Sequence, residues 1–181
     1  MHTSDRSSPA QSFSALALEH DDCFAVRQAA RHLSQLYERH LSAAGLTPTQ
    51  FSLLGALGAL GATDPADPAD PAQGQPSLTM AQLARTMVME RTTLVRALRP
   101  LLRSGLVADL AVAKHSATDG EHAPQGADCH RRQVALTAAG RARLDEAGVH
   151  WRAAQDEFER RFGAQRAAWL RRELLRITRA V

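Results

Sequence analysis

Residues 78–105 read Leu78-Thr79-Met80-Ala81-Gln82-Leu83-Ala84-Arg85-Thr86-Met87-Val88-Met89-Glu90-Arg91-Thr92-Thr93-Leu94-Val95-Arg96-Ala97-Leu98-Arg99-Pro100-Leu101-Leu102-Arg103-Ser104-Gly105. Thr79 and Gln82 form a capping box, in which each side chain satisfies a backbone N–H at a helix start. Leu83 and Ala84 then face inward on a short helix. Residues 86–89 read as a turn. A longer helix follows over about 90–104, with Leu94, Val95, Leu98, Leu101 and Leu102 as its apolar stripe. Gly105 suits its C-terminal cap. A short capped helix, a tight turn and a longer helix make a helix-turn-helix.

The second helix of that pair carries a polar face. Arg91, Thr92, Thr93, Arg96 and Arg99 all avoid the apolar stripe. A helix fits the major groove of DNA, and its N-terminal residues reach base edges. Arg103 lies further along, beyond Pro100. That proline removes a backbone donor and predicts a bend or an early end to the helix. After Gly105, residues 106–108 and 133–136 read as two short strands around a long polar loop, which makes a wing. His130, Arg131 and Arg132 stand at its base, where cations can meet phosphate or enter the minor groove. An arginine face alone fits a solvated surface equally well. Its place second in a helix-turn-helix, beside a wing, points to double-stranded DNA as the partner.

Working outward, Gly45 ends a first helix over about 17–44 whose apolar positions include Val26, Leu33, Leu36, Tyr37 and Leu41. Thr47, Pro48 and Gln50 predict the start of a second helix, with Phe51, Leu54 and Leu57 inward. Residues 61–77 repeat Asp-Pro-Ala three times. Proline at every third position forbids a helix, so this is an extended linker or loop. Thr137 caps a long helix running to about Phe162. Its positions Leu144, Ala147, Trp151, Ala154 and Phe158 form a heptad-like seam. A last helix over about 164–180 carries Trp169, Leu170, Leu174 and Ile177. These terminal helices bury little alone and predict packing against a second copy. The expected divisions are a disordered tail (1–15), N-terminal helices (16–60), the Asp-Pro-rich segment (61–77), the winged helix-turn-helix (78–136) and C-terminal dimerisation helices (137–181). The fold class is mainly α with a small β wing.

Composition narrows the alternatives. The chain has 181 residues, 44% of them hydrophobic, and a formal net charge of +3. That length supports a core without disulfides. No run of 18 apolar residues marks a membrane span, and residues 1–14 lack the apolar core of a secretory signal. Two cysteines, Cys23 and Cys129, make no disulfide framework. A cytoplasmic protein is expected. No Gly-rich phosphate loop, nucleophile elbow or paired-histidine zinc motif is present, so an enzyme is not expected, nor a cofactor. His115, His122, Cys129 and His130 lie near Asp119, Glu121 and Asp128, but their spacing matches no standard zinc finger, and no metal is expected. A purely structural helical dimer would explain the terminal helices but not the threonine-arginine face.

Several strings together resemble the MarR family of regulators. They are Gly45-Leu46-Thr47-Pro48-Thr49-Gln50-Phe51, Leu78-Thr79 through Leu83-Ala84, Arg91-Thr92-Thr93-Leu94-Val95-Arg96, Leu102-Arg103-Ser104-Gly105-Leu106-Val107 and Val134-Ala135-Leu136-Thr137-Ala138-Ala139-Gly140. Their order and spacing cover residues 22–180. The resemblance implies a homodimer on a near-palindromic operator. It also implies a repressor released by a small aromatic or phenolic ligand, or by cysteine oxidation. Arg27, Arg31, His32 and Tyr37 are the candidate ligand anchors. Cys23 is the candidate redox residue, because the peroxide-sensing branch of the family has a cysteine there and a tyrosine about four turns on, as Tyr37 is. That branch also has a second tyrosine where this chain has Pro48 or Thr49, and the plainer reading of Cys23 is an inert thiol. Two departures stand out. The Asp-Pro segment replaces a usually short connection, and Asp128-Cys129-His130 stands where many members carry an Asp-x-Arg wing motif.

Overall fold

Two threonine-glutamine pairs start two of the helices. In the computed structural model, Thr47 Oγ1 accepts from the Gln50 N–H at 3.2 Å, and Gln50 Oε1 accepts from the Thr47 N–H at 2.9 Å. Thr79 and Gln82 repeat the exchange at 3.1 and 2.8 Å. Each box satisfies two N–H groups that a helix start leaves without partners. The structure describes residues 20–61, 77–110 and 132–180. The expected tail, most of the Asp-Pro segment and the wing loop lie outside them.

The elements are α1 (Asp22–Leu41), a 3-10 turn (Ser42–Ala44), α2 (Pro48–Leu60), β1 (Ser77–Thr79), α3 (Met80–Met87), α4 (Arg91–Arg103), β2 (Val107–Asp109), β3 (Gln133–Leu136), α5 (Ala138–Phe162) and α6 (Ala164–Ala180). The chain divides into two units, 1–35 and 36–181. In the first unit, Asp21 Oδ1 accepts from the Phe24 N–H at 3.1 Å, so an aspartate caps the start of α1. Asp21 through His32 are exposed there.

The second unit holds one core. Leu41, Leu53, Leu54, Leu57, Leu83, Leu94, Leu98, Leu101, Val107 and Val134 are its fully buried large side chains. They come from both helices of the helix-turn-helix, from α2 and from the sheet, so burial of one apolar cluster fixes these elements together. The sheet is antiparallel in the order β1-β3-β2. Leu78 faces Val134 across β1 and β3, and Val107 faces Leu136 across β2 and β3. The seam expected on α5 turns inward within this unit. Ala147 and Ala154 are buried, and Leu144 and Trp151 pack partly buried against the core. These seam residues thus pack against other elements of the same unit.

The turn between α3 and α4 departs from expectation. The α3 helix extends to Met87, and its C-cap is Val88 in the left-handed region at φ 50°. A β-branched side chain there crowds the backbone, at a cost of roughly 1–2 kcal/mol. The helix does not end early at Pro100: α4 continues through it to Arg103.

Candidate nucleic-acid interface

The α4 helix sorts its side chains by period. Leu94, Leu98 and Leu101 are buried, while Arg91, Thr92, Thr93, Arg96, Arg99 and Arg103 are exposed. The apolar row docks α4 on the core, and that contact turns the threonine-arginine row outward. Three structural features hold the N-terminal end of the row in place. The Met89 N–H donates to the Ala84 carbonyl at 2.9 Å, and the Val88 N–H to the Arg85 carbonyl at 3.1 Å. The Leu94 N–H donates to the Glu90 carbonyl at 2.9 Å, so Glu90 begins the helix with its backbone although its side chain makes no cap bond. Arg85 and Thr86 on α3 are exposed too. The sequence reading did not single them out, although their place in the last turn of the first motif helix was a usable signal.

The wing is described only at its base. His130 and Arg131 lie outside the described residues, as do Cys129 and the histidines considered for metal. Among the described residues no group of metal-ligating side chains occurs. Arg132 is described, and its Nε donates to Asp109 Oδ2 at 2.6 Å, with a second guanidinium nitrogen paired to the same oxygen. The pair ties the residue before β3 to the end of β2. Arg132 is therefore a cross-strand clamp whose charge is already met by a carboxylate, which sequence spacing alone did not reveal. The Met80 N–H donates to the Arg132 carbonyl at 3.0 Å and joins α3 to the same corner.

The candidate effector residues fall in both units. Arg27, Arg31 and His32 are exposed in the first. Tyr37, in the second, is half-buried against Trp151 at 4.3 Å between ring centroids, and Trp151 stacks on Phe51 at 4.5 Å. Burial raises the Tyr37 phenol above its usual range; the charge of Arg171 opposes this and that of Glu159 adds to it. Beside this stack, His40 Nε2 and Glu157 Oε2 lie 2.7 Å apart, and Arg161 pairs with Glu157 Oε1 at 2.7 Å. The hydrogen bond with His40 is the main cause that holds the Glu157 carboxyl below the usual carboxylate range. Desolvation works against it, and the charges of Arg161, His40 and Arg39 assist. Cys23 is exposed in the second position of α1. No helix among the described residues is long and apolar enough to cross a membrane.

No family profile matches the chain, and no curated protein does. Solved structures do. The transcriptional regulator MosR of M. tuberculosis is 32% identical, over 90% of this chain and 96% of MosR, with a TM-score of 0.63. The same regulator in complex with DNA matches at 32% identity and a TM-score of 0.60, over 88% of this chain and 95% of MosR. The transcriptional repressor CouR bound to p-coumaroyl-CoA shares the fold at 21% identity and a TM-score of 0.65, over 93% of this chain and 99% of CouR. MarR of E. coli shares it at 18% identity and a TM-score of 0.57, over 87% of this chain and 96% of MarR. With a capped helix-turn-helix, a three-stranded wing base and a MosR-like sequence over nearly its whole length, the chain belongs to the MarR family of winged helix-turn-helix transcriptional regulators.

Proposed function

We propose that the protein is a sequence-specific DNA-binding repressor that works as a homodimer on a near-palindromic operator. The observation that carries this reading is the exposed row Arg91, Thr92, Thr93, Arg96 and Arg99, set opposite the buried row Leu94, Leu98 and Leu101 on the second motif helix. Arginine in that place pairs with guanine edges or phosphate, and short threonines allow close approach to the groove floor. The solved complex of MosR with DNA supports the same use of the fold here. A second copy is supported by α6, which leaves Trp169, Leu175 and Ile177 more than half exposed. Two copies related by a twofold axis read two half-sites, hence the near-palindrome.

Release from DNA is assigned to a small phenolic or aromatic ligand, whose candidate anchors are Arg27, Arg31 and His32 in the first unit and Tyr37 in the second, each taken within its own unit. The CouR complex with p-coumaroyl-CoA supports that ligand chemistry. Selection of bound duplexes from a random library tests the DNA reading. Enrichment of one inverted repeat is expected, and no enrichment at any salt would contradict it. Adding hydroxycinnamates and other planar phenolic acids to the selected complex then tests the ligand.

A second reading, thiol-based release through Cys23, has the exposure of that sulfur in its favour. Peroxide that dissociates the wild type but not Cys23→Ser would replace the ligand reading with this one.

A further inference from the structure

Three of the four methionines lie within the helix-turn-helix, at Met80, Met87 and Met89. They differ in access. Met80 is buried at the start of α3, at 5% exposure. Met87 and Met89 are partly exposed, yet both pack against the core cluster. Between them stands Val88, 80% exposed and left-handed. The turn that leads into α4 is thus flanked by two thioethers that pack against the core cluster yet stay partly open to water, around a strained residue. Met89 lies two positions before Arg91.

We propose that Met87 and Met89 form an oxidant-sensitive modification site that uncouples the turn from the core and loosens the DNA-reading end of α4. The inference rests on the DNA-binding reading above. The oxidant is a hypohalous acid. The methionine sulfur lone pair attacks hypochlorous acid, the sulfur is oxidised by two electrons and gains one oxygen, and the chlorine leaves as chloride with a proton. A sulfoxide is polar and strongly hydrogen-bonding, where the thioether was apolar. At two partly buried positions packed against the core cluster it weakens that packing, because the side of the group turned to the cluster then carries a polar oxygen into apolar surroundings. The backbone bonds of Val88 and Met89 to Ala84 and Arg85 are short-range, and the turn already carries strain at Val88. Loss of the two thioether contacts therefore shifts Arg91, Thr92 and Thr93 before it affects the core. A dithiol reverses the step: its two thiols are oxidised to a disulfide, the sulfoxide oxygen leaves as water, and the thioether and the turn are restored.

The test uses the full chain with Cys23→Ser and Cys129→Ser, which removes thiol chemistry. It is treated with limiting hypochlorous acid, and peptide mass mapping locates the added oxygens. Met87 and Met89 are expected to oxidise before Met80. Affinity for the selected operator should fall about tenfold, a change of about 1.4 kcal/mol. The Met87→Leu/Met89→Leu variant, which conserves volume, should keep its affinity under the same treatment. Equal loss in that variant, or full oxidation of both methionines with affinity unchanged, would overturn the inference. If the untreated protein binds no DNA, the DNA reading has failed instead. Thermal unfolding then decides the inference by itself: oxidation must lower the melting temperature of the parent but not of the double-leucine variant, and equal shifts overturn it.

Discussion

Gly140 sits directly against the backbone of Leu106. A Cβ at that position would overlap the Leu106 carbonyl oxygen and come within 2.7 Å of Leu136 Cδ1. The same carbonyl accepts from the Thr137 N–H at 3.2 Å, and Thr137 Oγ1 bonds to the Gly105 carbonyl at 2.7 Å. The first turn of α5 is thus pressed onto the chain between α4 and β2. Thr137 also caps α5, because its Oγ1 accepts from the Gly140 N–H at 3.0 Å.

Gly140→Ala should therefore destabilise the fold, although alanine is the better helix former. Overpacking against backbone costs about 1–3 kcal/mol. Thermal or urea unfolding will read it. An unchanged or raised melting temperature would show that the contact yields freely.

Val88→Gly should act in the opposite direction. Glycine takes φ 50° without crowding a side chain. Relief of the strain exceeds the added freedom of the unfolded chain, so a gain of about 0.5–1 kcal/mol is expected. Equilibrium unfolding of the two proteins measures it, and a loss would mean that the valine side chain makes a compensating contact.

Asp109→Asn addresses the wing base. The carboxylate now neutralises Arg132. Without that charge, Arg132 is free to meet phosphate, and affinity for DNA should rise with a salt slope steeper by about one unit. Binding isotherms at several salt concentrations will show it. Equal slopes would place Arg132 away from the duplex.

The Glu157 pair predicts a pH dependence. The native carboxyl titrates below the unfolded value near 4.5. Its contribution to stability is complete above that value and is lost as pH falls through the lower native one. The melting-temperature difference between wild type and Glu157→Gln should be present at neutral pH and shrink in acid. A difference that is constant with pH would show that the hydrogen bond with His40 does not depend on the carboxylate charge.

The parts of this fold that were legible in the sequence rest on local rules. Thr47 with Gln50 and Thr79 with Gln82 announce helix starts within four residues, and Leu94, Leu98 and Leu101 declare one face by period alone. The threonine-arginine row follows from the same periodicity. What was not legible depends on distant pairing. The strand at Ser77–Thr79 is three residues long, its last residue doubles as a helix cap, and it exists only because β3 pairs with it. The Arg132–Asp109 clamp needs the β2–β3 register before the two side chains meet. Val88 gave no sign of a left-handed backbone, because valine is among the residues least suited to one. The long helix at 138–162 looked like a seam for a second copy. Within the chain it also packs on α2 and the 3-10 turn, elements more than 75 positions earlier, and spacing along one helix does not show that pairing.

The most direct measurement is the operator affinity of Arg96→Ala beside wild type, as a function of salt, with melting temperatures measured on the same samples. Arg96 is exposed and packs no core, so its removal should leave stability within about 0.5 kcal/mol. The expected result is specific binding by wild type that weakens steeply with salt, and a loss of about tenfold or more in Arg96→Ala at unchanged melting temperature. Equal affinity in the two proteins would contradict the assignment of the exposed α4 face as the DNA-reading surface.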